Sequence, residues 1–191
     1  MHGKDLWTMR RAATQRGFTL LELMITVAVL GVVLVIGVPS MRNLAEKRRT
    51  IAAAEQIYSE LQFARSAAVA RSDQVYANIV GGTTWAFGIS DNAACDPTDN
   101  SPACTLDDQD GANAVTHVVT DGDFQNISLA TTAAQITFSP QRATATAASI
   151  DITSTDDYGY VMRVEVGLLG QISMCSPDAD PKTYVTGYRA C

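Results

Sequence analysis

Apolar residues are densest in one run near the N-terminus of the chain. The run extends from Phe18 to Val38, over 21 residues, and Glu22 is its only charged member. A helix needs about 20 apolar residues to cross a bilayer, so the run predicts a membrane-spanning helix. Four basic residues precede it in a short leader: Lys4, Arg10, Arg11 and Arg16.

Beyond this run, apolar residues recur every three or four positions, which is the pattern of an amphipathic helix. The members of this apolar stripe are Ala54, Ile57, Tyr58, Leu61, Ala64 and Ala68. Together the two segments predict one helix from Phe18 to about Ser72, roughly 80 Å long at 1.5 Å per residue. Pro39 lacks an amide donor, so it either kinks or locally opens this helix or is tolerated as prolines in membrane helices are.

After Asp73 the pattern changes to short segments rich in β-branched and aromatic residues, with turn sequences between them. Seven segments predict strands: residues 74–80, 84–90, 115–120, 135–139, 149–153, 160–166 and 171–175. We expect one antiparallel sheet or two small sheets, with the apolar stripe covering one face. The predicted fold class is therefore α+β, a long N-terminal helix packed on a small antiparallel β head.

The balance of basic and acidic residues changes at the same point in the sequence, after residue 72. Residues 1–72 hold ten Lys/Arg and five Asp/Glu, whereas residues 73–191 hold four Lys/Arg and fifteen Asp/Glu, a formal charge of −11. So acidic a surface repels phosphate, and general binding of nucleic acids by the head is disfavoured.

All four cysteines lie in the acidic part, at Cys95, Cys104, Cys175 and Cys191. Four cysteines allow three pairings, and the sequence has no Cys-x-x-Cys pair of the kind that binds zinc. We expect structural disulfides in an oxidising compartment, which places the head outside the cytoplasm. The favoured pairs are Cys95–Cys104, closing a loop, and Cys175–Cys191, tying the C-terminal tail to the last strand.

Two other interpretations of the apolar run compete with a membrane-spanning start of the long helix. A secretory signal peptide has a shorter apolar core followed by a small-residue cleavage site, and this run has neither. An ordinary membrane anchor fits the length but leaves Glu22 unexplained. Both flanks of the run are basic, so the positive-inside rule does not settle its orientation.

The residues R-G-F-T-L-L-E-L, Arg16 to Leu23, resemble the type III signal of type IV pilins and type II secretion pseudopilins. The resemblance implies that a prepilin peptidase cuts after Gly17 and methylates the new N-terminal amine of Phe18. It also implies that Glu22 meets the N-terminal amine of a neighbouring subunit and sets the register of the filament, and Pro39 matches a proline common in the family's helix. On residue chemistry alone, Glu22 equally fits a carboxylate that snorkels to the headgroups.

The segment L-Q-F-A-R-S-A-A-V-A-R, Leu61 to Arg71, resembles the helix end of the GspH/FimT/FimU group of minor pilins. The resemblance implies a FimU-like minor pilin that primes or caps a type IV pilus. One alternative is a GspH-like minor pseudopilin of a type II secretion system. A second is a FimT-like DNA-binding pilin, although Gly187–Ala190 has one arginine where that motif needs two.

The resemblance divides the chain into four segments. Residues 1–17 are the cleaved cytoplasmic leader, 18–38 the transmembrane half of the helix, 39–72 its periplasmic half, and 73–191 the disulfide-bearing head. The expected location is the bacterial inner membrane, single-pass with a periplasmic head, and then the pilus or pseudopilus filament or its tip. The expected partners are the major pilin, other minor pilins, prepilin peptidase and the inner membrane.

The sequence offers no constellation for catalysis, and we expect no small-molecule substrate, cofactor or metal. His117 is the only histidine beyond the leader and is expected to be an ordinary strand residue. Asp107, Asp108 and Asp110 precede Gly111, but their spacing does not match a calcium-binding EF-hand loop. A membrane-anchored enzyme, the alternative class, would need a nucleophile–base or metal constellation. The chain is therefore expected to be a structural subunit and not an enzyme.

Overall fold

The computed structural model describes residues 17–99, 103–107, 114–177 and 183–191, with every side chain in them except those at positions 36, 38–40, 107 and 114. Residues 1–16 of the predicted leader lie outside the described residues, as do Asp108 and Asp110 of the acidic loop. The chain divides by its internal contacts into two compact units, Met1–Met41 and Arg42–Cys191.

One α-helix, α1, extends from Leu20 to Arg71. Its start is capped because the Thr19 hydroxyl accepts a hydrogen bond from the backbone N–H of Glu22, at 3.2 Å. A threonine before the helix with a glutamate three residues later is the sequence signature of a capping box. The helix ends where Ser72 turns into the left-handed region, with φ of 55°.

In the first unit, all described side chains from position 17 to position 35 are exposed, and most of them are large and apolar. The backbone of Pro39 is helical, and its side chain lies outside the description. Within the described ranges, the length and apolarity needed to cross a membrane are not met by any helix.

The described part of the second unit contains nine strands after α1. They are β1 (Val75–Val80), β2 (Ala86–Ser90), β3 (Thr105–Asp107), β4 (Ala114–Thr120), β5 (Ile127–Thr131), β6 (Gln135–Phe138), β7 (Ala148–Ser154), β8 (Val161–Val166) and β9 (Ile172–Cys175). They form two antiparallel sheets, a five-stranded one in the order β3-β4-β2-β1-β6 and a four-stranded one in the order β5-β7-β8-β9. The predicted α+β fold class is confirmed, and the second of the two expected arrangements, two small sheets, is the one observed.

Two strands were not predicted from the sequence. β3 has only three residues, which is too short for a periodic signal. β5 has the sequence I-S-L-A-T and begins directly after Asn126, whose φ of 60° turns the chain into the strand. Its residue Leu129 exchanges two backbone hydrogen bonds with Gly82 of the β1–β2 turn, so β5 also links the two sheets.

The core of the second unit forms around the apolar stripe of α1. Five of the six predicted stripe residues are fully or almost fully buried: Ala54, Ile57, Leu61, Ala64 and Ala68. The sixth, Tyr58, is half-buried at the edge of the core. Both sheets contribute buried side chains to the same cluster, for example Phe87 and Ile89 from β2. Because three stripe positions are alanine, the side chains on that face of the helix are short. Large side chains of the sheets can therefore pack close to its backbone.

β2 is buried on both of its faces. Its outer face is covered by the loop that the Cys95–Cys104 disulfide closes, which confirms the predicted pairing. Gly88 makes this cover possible, because a Cβ atom there would lie 2.6 Å from Cys104 Sγ and 2.9 Å from the side chain of Pro97. Both contacts are shorter than van der Waals distance, so only glycine fits at this position.

We therefore expect Gly88→Ala to lower the free energy of unfolding by about 2 kcal/mol, as overpacking of a tight site does. The measurement is thermal unfolding of the purified full-length chain followed by circular dichroism. The matched control is Gly122→Ala, whose added carbon would lie 3.4 Å from Thr120 Oγ1 and near nothing else. Equal melting temperatures for the two variants would contradict the proposed steric role of Gly88.

Candidate functional site: the N-terminal junction and the anchored helix

The predicted processing site lies immediately before α1. Gly17, Phe18 and Thr19 are outside the helix and exposed, and apart from the chain neighbours of Gly17 no atom of the described residues lies within 4 Å of the position a Cβ would take there. A peptidase must bind an extended segment of backbone, so a junction free of helical hydrogen bonds is suitable for cleavage. The structure thus presents the Gly17–Phe18 bond as accessible.

Glu22 occupies the third position of the helix, where a carboxylate is favoured by the helix dipole. Its side chain is exposed, and among the described residues no cation pairs with it. Its backbone N–H is capped by Thr19. The hydroxyl that caps the start of the helix is thus that of Thr19, and the Glu22 carboxylate contributes there only through the helix dipole.

A second carboxylate, Glu46, anchors the helix within the second unit and was missed from the sequence. It is only 5% exposed, and its oxygens accept hydrogen bonds from the backbone N–H groups of Tyr158, at 3.2 Å, and Gly159, at 2.8 Å. These amides lie in the turn between β7 and β8. A buried carboxylate is stable only when such donors satisfy it. One signal could have revealed it, since Glu46 and Thr50 extend the apolar stripe at the same spacing.

Three other contacts surround this anchor. The Tyr160 hydroxyl donates to Asn43 Oδ1 at 2.6 Å. Arg49 pairs with Asp156 at 3.0 Å, and Asn126 Nδ2 donates to the other oxygen of that carboxylate at 2.7 Å. The first turns of α1 in the second unit are thereby attached to the four-stranded sheet by directional bonds in addition to apolar packing.

The C-terminal tail also attaches to the helix. Cys191 is bonded to Cys175 at the end of β9, and Val185 is fully buried in the core. The Tyr188 hydroxyl donates to Glu55 at 2.9 Å. Burial, and after it this hydrogen bond to a carboxylate, raises the pKa of Tyr188 above that of free tyrosine, so the phenol remains a donor at neutral pH.

The structure gives His117 partners and places a carboxylate beside one of the disulfides. His117 lies in β4 as expected, but its Nδ1 is 3.5 Å from Glu60 Oε2 and its ring stacks on Phe63, so it has partners that the sequence did not indicate. Glu165 lies close to Cys175 and Cys191 in a grouping that could suggest a metal site. The two sulfurs are bonded to each other, however, and cannot act as thiolate ligands.

Comparison with known proteins gives two family matches. Residues 53–170 match the model of the family described as Type II transport protein GspH, and residues 13–38 match the Prokaryotic N-terminal methylation motif. A curated relative from Pseudomonas aeruginosa, described as a fimbrial protein, is 28% identical over 97 residues, which are 51% of this chain. The match spans 63% of that relative's length.

Among solved structures, two crystal forms of the type IV minor pilin FimU from Pseudomonas aeruginosa are similar to this chain. Each is 16% identical, with TM-scores of 0.46 and 0.48. The matches cover 72% and 76% of this chain and 97% and 98% of the FimU chains.

An N-terminal methylation motif followed by a helix and antiparallel sheets defines a class of protein, the type IV pilins, whose family and fold are structural and not enzymatic. The chain belongs to the GspH family within that class. It is a minor pilin or pseudopilin of the type IV pilin family.

The buried Glu46 gives a direct test of the anchor. Glu46→Ala leaves two backbone N–H groups without an acceptor, and we expect it to lower the free energy of unfolding by roughly 2 kcal/mol. Glu46→Gln keeps one acceptor oxygen and should lose less. Thermal unfolding of the full-length chain measures both, with the exposed Ser59→Ala as the control. If Glu46→Ala melts with the control, the carboxylate does not anchor the helix.

Proposed function

We propose that this chain is a minor pilin that primes or caps the assembly of a type IV pilus after prepilin peptidase removes residues 1–17. The observation that carries the proposal is the arrangement of the N-terminus. An accessible Gly17–Phe18 junction precedes a capped helix whose apolar side chains are all exposed from Leu20 to Val35. So large an apolar surface needs a partner that the described residues do not supply.

The proposed partner changes during assembly. Residues 18–38 first lie in the inner membrane, with residues 39–72 and the head in the periplasm. The same apolar surface then packs against the helices of other pilins in the filament. Glu22 contributes one carboxylate to this surface and meets the N-terminal amine of the neighbouring subunit. A carboxylate in a membrane costs about 2.5–3.5 kcal/mol at mid-span, and pairing with that amine would recover part of this cost.

A minor pseudopilin of a type II secretion system is the alternative, which the family description favours. A deletion strain separates the two roles. Loss of surface pili with normal secretion supports the pilus, whereas periplasmic accumulation of secreted enzymes in a piliated strain supports the secretion system.

A role in DNA uptake has less support. Arg189, the one arginine near the C-terminus, donates to Ser173 at 2.9 Å and lies 3.6 Å from Glu165. Because the Glu165 carboxylate offsets much of the charge of Arg189, this arginine attracts phosphate only weakly.

Processing is tested at the cleavage junction. We expect Gly17→Ala to leave the chain uncut, because the type III signal that this segment resembles has glycine directly before the cleaved bond. N-terminal mass spectrometry of protein from native membranes should find methylated Phe18 in the wild type and no such terminus in the variant. A variant chain that still begins at Phe18 would refute the assignment of Gly17.

The role of Glu22 is tested by two substitutions. Glu22→Ala should be inserted and cleaved but should join filaments poorly, by about tenfold for the loss of a charge pair. Glu22→Gln has nearly the same size and keeps the Thr19 cap on the backbone N–H, but it lacks the charge. Immunoblots of sheared filaments compare the variants. A defect in both supports pairing of the carboxylate with an amine, whereas normal incorporation of Glu22→Gln would show that the charge is not needed.

A further inference from the structure

The turn between β8 and β9 presents two adjacent leucines to solvent. Leu168 and Leu169 are its two central residues, and their exposed fractions are 69% and 72%. Among the large apolar side chains described in the second unit, the next most exposed is Val115, at 51%. Central positions of turns usually hold glycine, proline, asparagine, aspartate or serine, so this pair of leucines contributes nothing to the turn itself.

The backbone of this turn is held in one conformation. The Gly170 N–H donates to the Gly167 carbonyl at 2.8 Å, and the Leu168 carbonyl accepts from the Ala145 N–H at 3.1 Å. Gly170 has a φ of 71°, and a Cβ atom there would overlap the carbonyl oxygen of Ala143, so only glycine fits. Because the turn is already ordered, a partner that covers the leucines gives up little conformational entropy in fixing it.

Two arginines lie beside this turn. Arg65 Nε is 3.1 Å from the position that a Cβ would take at Gly170, and Arg142 directly precedes Ala143 and is exposed. Neither arginine has a hydrogen bond or ion pair among the described residues. Residues 73–191 carry a formal charge of −11, so a basic site is exceptional on this head. The leucine–arginine patch is defined as Leu168, Leu169, Arg65 and Arg142.

Apolar side chains beside free guanidinium groups are typical of a protein-binding surface. Arginine is enriched in protein interfaces, and the buried centre of an interface is more apolar than the rest of the surface. A partner that complements this patch has an apolar surface edged by carboxylates, because a carboxylate and a guanidinium form strong paired hydrogen bonds. Nucleic acid fits less well, since phosphate is repelled by the acidic head and would leave the leucines exposed.

A lipid surface also fits less well. Arg65 lies 23 residues beyond Arg42, where the second unit begins, or about 35 Å along the helix. The apolar run assigned to the bilayer ends before Arg42. The patch therefore belongs to the part of the second unit that is far along α1 from that run.

We propose that the leucine–arginine patch docks on an apolar surface edged by carboxylates on a pilin subunit of a different sequence. The proposal rests on the proposed function, in which a minor subunit meets other pilins rather than copies of itself. It names a contact made by the head, in addition to the contacts of the apolar N-terminal part of α1.

The test places a benzophenone side chain at position 168 of the tagged full-length chain in its native strain. Irradiated cells are lysed, the chain is purified through its tag, and mass spectrometry identifies the peptide joined to it. We expect a segment that contains carboxylates, from another chain with its own N-terminal methylation motif. The matched control has the same side chain at Val115 of β4 and should not join that segment.

Charge reversal tests the arginines of the patch. We expect Arg142→Glu, in the chain with benzophenone at position 168, to lower the yield of the joined product about tenfold. Arg48→Glu is the matched control, because Arg48 is also exposed and without a partner among the described residues but lies outside the patch. It should leave the yield unchanged.

Removal of the leucines tests the apolar part of the patch. Leu168→Ser/Leu169→Ser should lower incorporation into sheared filaments about tenfold, the effect of losing the burial of one leucine side chain. Val115→Ser should leave incorporation unchanged. Melting temperatures of the purified chains check that each variant is folded.

The proposal is overturned if position 168 joins only lipid, a second copy of this chain or a protein without the methylation motif, or joins nothing. It is also overturned if Arg142→Glu and Arg48→Glu give equal yields, or if the leucine and Val115 variants are incorporated equally. The same preparations are checked for methylated Phe18. If Phe18 is processed and these results fail, the patch contact is wrong and the proposed function stands; if Phe18 is not processed, both are wrong.

Discussion

Burial of one face of α1 is the constraint on which the second unit depends. Ile57 and Leu61 are fully buried, and side chains from both sheets pack around them. The sheets are small, with five and four strands, and share few direct connections apart from the hydrogen bonds between Gly82 and Leu129. Without the helix, each sheet would expose its apolar face to water. The helix therefore provides the common surface that makes the two sheets one unit.

Apolar packing alone would not fix the position of the helix along its own axis against the sheets. The Glu46 carboxylate has directional bonds to two backbone amides, and the tail attaches through Tyr188 and Glu55. These contacts lie at separate levels of α1, so together they define one position for the helix. The Cys95–Cys104 disulfide acts elsewhere, where it closes a loop over β2 and accepts a hydrogen bond from Asn78 at Cys95 Sγ.

The periodic part of the fold could be predicted from the sequence, and the parts that depend on tertiary contacts could not. The apolar stripe and seven strands each repeat a pattern over several residues, and so they were visible. β3 has only three residues, which is too short for such a pattern, and β5 was missed although its buried Ile127 and Leu129 alternate with less buried residues. At the site, Gly17, Phe18 and Glu22 were found through a local motif. Glu46 was missed because a glutamate is expected at the surface, and only the β7–β8 turn, more than a hundred residues away, explains its burial.

Groups that have no partner among the described residues indicate which surfaces are available for contacts with other molecules. In the second unit, buried polar side chains have partners throughout the described residues, and the core is closed. The groups left over include exposed apolar side chains, most of them before Met41 but also Leu168 and Leu169, and charges such as Arg42 and Arg48 that have no partner in the described part of the chain. Apolar surface gives association strength without direction, whereas charge pairs contribute register and rate. The proposed subunit, which leaves a bilayer and enters a filament at a defined height, would need both, and this chain carries both on the single helix that continues into its core.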